Sequence, residues 1–113
     1  MSSYILNISD GKEAGNPIKL DLLALKKSAV ILRALNHKLR QQILRLIADN
    51  GTITVTEIYV KLRLEQSVAS QHLAILQKAG FVKTKRDGKF IYYAPNLPRI
   101  RQINQLTQSI AGN

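Results

Sequence analysis

The chain has 113 residues, and its 17 Lys and Arg against 7 Asp and Glu give a formal net charge of +10 at neutral pH. That length suits one domain, and the positive charge favours a polyanionic partner, either nucleic acid or an anionic membrane surface. The absence of cysteine excludes disulfides, thiolate metal ligands and cysteine nucleophiles.

Residues 1–16 contain Ser, Asn, Asp and Gly around a short apolar patch, which predicts an N-terminal tail that orders only against a partner or its own dimer. This segment lacks the charged start and long apolar stretch of a secretory signal. No apolar run in the chain approaches the ~20 residues that span a bilayer. We therefore expect a cytoplasmic protein without a membrane partner.

Two helices are predicted next. Asn16 and Pro17 suit the cap and first turn of a helix over residues 17–35. This helix is apolar on more than one side, which favours burial against its own domain on one side and a second subunit on the other. After a break at Asn36 and His37, a second helix is expected to end at Gly51, where glycine supplies a left-handed cap.

A pair of short helices and a hairpin follow. Residues 52–54 suit a small edge strand, and the Thr54 to Glu57 spacing is that of a capping box opening a third helix. A three-residue turn separates it from a fourth helix over residues 66–79. Strand-like runs at 81–85 and 90–94 flank an Asp-Gly turn, which is a strong hairpin signal.

The last helix is expected over residues 97–111, with one apolar stripe and polar residues elsewhere. It follows the hairpin and has little of its own domain left to cover, so we expect it to pair with the first helix across a two-fold axis. The predicted fold is mainly α with a small β-hairpin (α+β), in the order α-α-(β)-α-α-β-β-α.

The fourth helix has the face of a DNA-reading helix. Ala69, Leu73 and Leu76 centre its buried side, and short or amide side chains occupy the opposite side. Gln can bond an adenine edge, and Ser suits a base or a phosphate. An ordinary solvated face is the alternative, but the tight turn before the helix and the basic hairpin after it favour duplex DNA. The predicted DNA-binding residues are Gln66, Ser67, Ser70, Gln71, His72, Lys78, Lys85, Arg86 and Lys89.

Two of these predictions have plain structural alternatives. His72 lies near the buried side, so it is either a boundary histidine bonded to backbone or packed on the third helix, or a phosphate or base contact. The hairpin cations Arg86 and Lys89 flank the turn, where they can reach a phosphate or a minor groove. A charged edge strand also serves to prevent edge pairing.

The sequence resembles the ArsR (arsenic-repressor-like) family of dimeric winged helix-turn-helix repressors. The resemblance lies in residues 34–46, 70–82 and 86–93 and covers roughly residues 30–94. It implies dimerisation through the first and last helices and repression of a promoter by binding an imperfect palindrome.

The metal sites of many relatives are not matched. Where those relatives have a Cys-x-Cys pair, this chain has Thr54 and Thr56, which supply no thiolate. Other relatives place His and carboxylate ligands on the last helix, but residues 97–113 of this chain contain no His, Asp or Glu. His37 and His72 belong to different predicted helices. We therefore expect no metal and no cofactor, and the chain lacks the phosphate loop, carboxylate pair or metal cluster of an enzyme.

The leading hypothesis is a homodimeric, sequence-specific regulator of double-stranded DNA with a palindromic operator. The alternative is a winged-helix module that binds a protein or a small ligand, with DNA secondary. In that case the apolar first and last helices would line a pocket for a small organic effector.

Overall fold

The computed structural model describes residues 4–9, 11 and 15–112 and divides the chain into two units, Met1–Ile31 and Leu32–Asn113. The predicted mixed α+β order is confirmed, with one additional hairpin before the first helix. The elements are β1 (Ile5–Ile8), β2 (Ile18–Asp21), α1 (Leu22–Leu35), α2 (Lys38–Asn50), β3 (Ile53–Thr54), α3 (Val55–Lys61), α4 (Gln66–Lys78), β4 (Val82–Asp87), β5 (Phe90–Pro95) and α5 (Leu97–Ala111).

The first unit contains a hairpin that was not predicted. β1 pairs antiparallel with β2, and Leu6 lies opposite Leu20 while Ile8 lies opposite Ile18. Since cross-strand partners share a face, these four side chains make one apolar face. The other face carries Asn7 and the remaining strand residues.

The hairpin corrects two predictions. Residues 5–8 are a strand rather than tail, and the first helix begins at Leu22 rather than at residue 17. Residues 18–21 alternate apolar and polar, which fits the two-residue period of a strand. The side chain of Asp21 accepts a hydrogen bond from the backbone N–H of Ala24 at 3.0 Å and so starts the helix after the strand. Residues 1–3, 10 and 12–14 of the predicted tail lie outside the described residues.

In the second unit, α2 and α3 are both capped by side chains. The ring of His37 accepts from the backbone N–H of Leu39 at 3.2 Å, and α2 ends where Gly51 has a φ of 76°. The predicted capping box is confirmed: the Thr54 hydroxyl accepts from the N–H of Glu57, and the Glu57 carboxylate accepts from the N–H of Thr54. Side chains therefore satisfy amides that helix starts leave unpaired.

The core of this unit lies between α2, α3, α4 and the sheet. α3 packs against α4, and both helices also contact α2. The sheet has the strand order β3-β5-β4, so the short strand before α3 joins the outer hairpin. The largest fully buried side chains are Ile43, Ile47, Ile53, Ile58, Leu73, Leu76 and Phe81.

Two hydrogen bonds anchor the start of the last helix. The side-chain amide of Asn96 donates to the carbonyl of Gly80 at 2.8 Å, and its backbone N–H donates to that of Phe81 at 2.9 Å. These bonds hold the start of α5 beside the end of α4. No residue of α5 is buried, although Leu97, Leu106 and Ile110 are large and apolar.

Candidate nucleic-acid interface

Three fully buried side chains fix α4 in the domain. Ala69, Leu73 and Leu76 are each 0 % exposed, as the helical period predicted. The helix contacts α2, α3 and β4 on that side. The predicted binding residues that α4 exposes are Gln66, Ser67, Ser70, Gln71 and Lys78. The opposite face of the helix is therefore accessible to a ligand.

The first three turns of this exposed face are uncharged. Lys78 is the first Lys or Arg of α4, and it stands at the C-terminal end of the helix. The N-cap residue Glu65 makes no side-chain capping hydrogen bond. The first-turn amides, at the positive end of the helix dipole, are therefore not satisfied by that carboxylate. The face therefore presents neutral hydrogen-bonding groups over most of its length.

His72 lies at the edge of the exposed face and contacts Arg40 of α2 and the cap residue His37. Its Nδ1 is 3.1 Å from the Nη1 of Arg40, and its ring centroid is 5.1 Å from that of His37. Because a guanidinium only donates, Nδ1 must accept, and the neutral ring carries its proton on Nε2. Burial, the Arg40 charge and His37 together lower the pKa of His72 below 6.5. The neutral tautomer is thus the favoured form.

Arg40 ties three helices together. Its Nε donates to the carbonyl of Ala34, its Nη2 donates to the carbonyl of Arg33 at 3.4 Å, and its Nη1 meets His72. The guanidinium fork supplies the several donors in fixed geometry that this arrangement needs. Since these contacts join α4 to the end of α1, Arg40 acts as a positioning group for α4. Its separation of 32 residues from His72 gives no local sequence signal.

The turn between α3 and α4 contains the positive φ of a non-glycine residue. Arg63 has a φ of 55°, in the left-handed region. The backbone N–H of Leu64 donates to the carbonyl of Tyr59 at 2.9 Å, and that of Arg63 donates to Val60 at 3.2 Å. These bonds close the turn tightly and so fix the angle at which α4 leaves α3.

The wing is the hairpin of β4 and β5, and its loop is shorter than predicted. Asp87 pairs with Phe90, so the loop consists of Gly88 and Lys89 alone. Gly88 has a φ of 64° at the first loop position, which is where a type II′ turn requires glycine. The Lys89 ammonium lies 5.6 Å from the centroid of the Phe90 ring, and the Arg86 Nε donates to the carbonyl of Gly88.

The wing cations do not share one face. Successive strand residues point to opposite sides, so Lys85 and Arg86 face apart. Thr84 shares the face of Arg86, and its hydroxyl lies 3.5 Å from the amide nitrogen of Gln77 on α4. Arg86 is therefore on the α4 side of the wing and Lys85 is on the other. Both side chains are exposed.

One of the two positions that match the Cys-x-Cys ligands of relatives is engaged in another contact. The Thr54 hydroxyl takes part in the capping box of α3. Within residues 4–9, 11 and 15–112, no group of three or more His, Cys, Asp or Glu is placed to hold a metal ion. Over the same residues, no helix is both long and apolar enough to cross a membrane.

Comparison with known proteins identifies the family. Residues 37–84 match the model of the arsR family of bacterial regulatory proteins. A helix-turn-helix transcriptional regulator of Methanocaldococcus jannaschii is 35 % identical over 85 residues, which are 75 % of this chain and 96 % of that protein. The transcriptional repressor PagR of Bacillus anthracis is 32 % identical over 81 % of this chain and 92 % of its own length.

The solved structures of two relatives share the fold. The structure of HlyU from Vibrio cholerae superposes with a TM-score of 0.62 at 30 % identity, over 77 % of this chain and 94 % of that one. The PagR structure gives a TM-score of 0.61 at 32 % identity, over 75 % and 97 %. In the sequence comparison, the transcriptional activator HlyU of Vibrio cholerae is 34 % identical over 71 % of this chain and 73 % of its own length. The chain belongs to the arsR family of bacterial regulatory proteins and is a DNA-binding transcriptional regulator of the winged helix-turn-helix fold.

Proposed function

We propose that the chain acts as a homodimeric repressor that binds an imperfectly palindromic operator in duplex DNA. The observation that carries the proposal is the division of α4 into two faces. Ala69, Leu73 and Leu76 are fully buried, whereas Ser67, Ser70 and Gln71 are exposed. A rigidly held helix with a polar, uncharged outer face suits direct contact with bases in a major groove.

The apolar surfaces of the terminal helices support a dimer. On α1, Leu25 and Val30 are 56 % and 54 % exposed, and on α5 Ile110 is 73 % exposed. Side chains of this kind favour burial, and small domains gain from burying them against a second copy. A two-fold axis through these helices would use the same surface on both subunits.

A symmetric dimer explains how the site is used. Two copies of α4 would enter successive major grooves about 34–36 Å apart, and each wing would lie near the flanking backbone. Arg86, on the α4 side of the wing, is the cation best placed to join that contact. The net charge of +10 supplies the sequence-independent attraction to phosphates. Such a dimer over a promoter would repress transcription by excluding polymerase.

The relatives have opposite effects on transcription: PagR is named a repressor and HlyU an activator. Repression is proposed for this chain for the following reason. A bound dimer needs only occupancy to block a promoter, whereas activation needs a further contact with the transcription machinery. The site of action would be the cytoplasm, where the promoter is. Release would not use the Cys-x-Cys site of relatives, because Thr54 and Thr56 supply no thiolate.

One observation favours the alternative of a ligand-responsive module. A groove of about 600 Å³ in the second unit runs between the last turn of α1 and α5. Its volume lies within the range of about 300–1,000 Å³ typical of small-molecule sites. Leu32, Leu35, Ile100 and Ile103 make it mainly apolar. A small apolar effector or the partner subunit would fit this lining.

The test is selection of bound duplexes from a random DNA library with the full chain. The proposal expects one enriched motif with two related half-sites about one helical turn apart. Competition with RNA and heparin at physiological salt is the control for charge alone. Equal binding of duplex DNA, RNA and heparin would contradict the proposal and favour the alternative. A reporter gene behind the selected operator then distinguishes repression from activation.

A further inference from the structure

An exposed aliphatic side chain stands on the outer side of α4 without a role in the predicted interface. Ile75 is 40 % exposed, whereas Leu73 and Leu76 on the same helix are 0 % exposed. Ala74 beside it is exposed as well. The DNA-binding residues predicted from the sequence include neither Ala74 nor Ile75. Their position on the helix decides what they can meet.

Ala74 and Ile75 flank Gln71 one turn further along the helix. With 3.6 residues per turn, Ala74 lies about 60° to one side of Gln71 and Ile75 about 40° to the other. Gln71 is nearly opposite the buried centre of the helix. The surface that would face a groove therefore has the Gln71 amide at its centre and an apolar side chain on each side of that amide.

The chemistry of this surface matches one kind of base pair. Lys and Arg, the side chains that bond guanine most often, do not occur in α4 before Lys78. Gln bonds the edge of adenine in a bidentate way, and the C5-methyl of thymine is the apolar group that the major groove displays. An apolar side chain facing cytosine or guanine would instead desolvate polar edges without pairing them.

We infer that α4 recognises a run of A·T pairs, in which Gln71 bonds an adenine while Ala74 and Ile75 contact thymine methyl groups. This rests on the proposed function, because it assumes that α4 enters the major groove. Ile75 is then a residue that determines specificity, and its exposure in the free protein is removed in the complex. Each buried methyl is worth about fourfold in affinity, from about 0.8 kcal/mol per buried carbon.

The experiment removes thymine methyls one at a time. The operator selected above is remade with single deoxyuridine substitutions in one half-site, and affinity is measured by fluorescence anisotropy at fixed salt. We expect about fourfold weaker binding at one or two thymines and no change at the flanking ones. The Ile75→Ala protein should lose the sensitivity at its thymine. Val60→Ala removes a 62 % exposed aliphatic side chain from α3 and should retain that sensitivity.

The outcomes separate this inference from the proposed function. A selected half-site made of G·C pairs, or a full set of uridine duplexes bound as tightly as the parent, would overturn the inference and leave the operator proposal standing. Equal uridine sensitivity in Ile75→Ala and the parent protein would also overturn it. If the library yields no preferred duplex at all, both proposals fail together.

Discussion

The backbone strain at Arg63 predicts that a glycine at this position would raise the free energy of unfolding. Its φ of 55° is left-handed, which costs a residue with a Cβ about 1–2 kcal/mol. Arg63→Gly removes that strain but gives the unfolded chain about 0.4–1 kcal/mol of extra conformational freedom. The net expectation is that Arg63→Gly raises the free energy of unfolding by about 0.8 kcal/mol.

Urea denaturation at fixed protein concentration measures this change, and the concentration is held constant because a dimer would link it to stability. A gain of this size raises Tm by roughly 4 °C for a domain near 100 residues. Arg63→Ala is the matched control, since it removes the exposed side chain but keeps the Cβ and therefore the strain. If the alanine variant gains as much as the glycine variant, the side chain and not the backbone is responsible, and the reasoning fails.

Four further predictions concern the DNA interface, the pH dependence of stability and the dimer. Gln71→Ala should lower the preference among operator sequences by about 1–3 kcal/mol if it makes a bidentate base contact, whereas unchanged affinity for the best site would contradict that role. Arg86→Ala should weaken binding to all sequences alike and reduce the slope of log affinity against log salt by about 1; Lys85→Ala, on the opposite face of the wing, should do so less, and equal losses would show that the wing faces are not distinguished. The pKa of His72 is lowered from 6.5 in the folded state, so the unfolded chain binds the proton first as the pH falls. The stability that this residue contributes is full above pH 6.5 and falls as the pH drops below it towards the folded pKa. In the His72→Gln protein the urea midpoint should therefore change less with pH over this range, and parallel curves of midpoint against pH for the two proteins would argue against it. Leu106→Glu on α5 should shift the mass measured by light scattering from dimer to monomer and weaken operator binding with it, and an unchanged mass would remove this helix from the dimer interface.

Local patterns of the winged unit could be predicted because each has its cause within a few residues. The Thr54 and Glu57 pair marks the start of α3 by reciprocal hydrogen bonds three residues apart. The buried face of α4 follows from the helical period alone. The hairpin follows from its glycine turn, although the loop begins one residue later than the Asp-Gly pair indicated. Taken together, these elements predict a DNA-binding transcriptional regulator, which is the function that the family shares.

The start of α1 was predicted wrongly because two local signals compete there. Asn16 and Pro17 favour a helix start, but the alternation through Ile18 and Leu20 gives the segment a strand period. The decision depends on pairing with β1, which lies across a connection of nine residues between Ile8 and Ile18. Asp21, whose side chain caps the helix, was the signal that would have placed the start correctly.

The contact between Arg40 and His72 could not be predicted from the sequence, yet it bears most directly on how the interface is held. Hydrophobic burial fixes which face of α4 is outward, but a smooth apolar face still allows small rotations. A directional bond at the helix edge restricts them. Because the same guanidinium also binds the carbonyls at the end of α1, the orientation of the groove-facing helix is coupled to the helix proposed to form the dimer. If the chain acts as the proposed dimer and places two helices one turn of DNA apart, a small change at the dimer helix would thus be transmitted to the bases through one side chain.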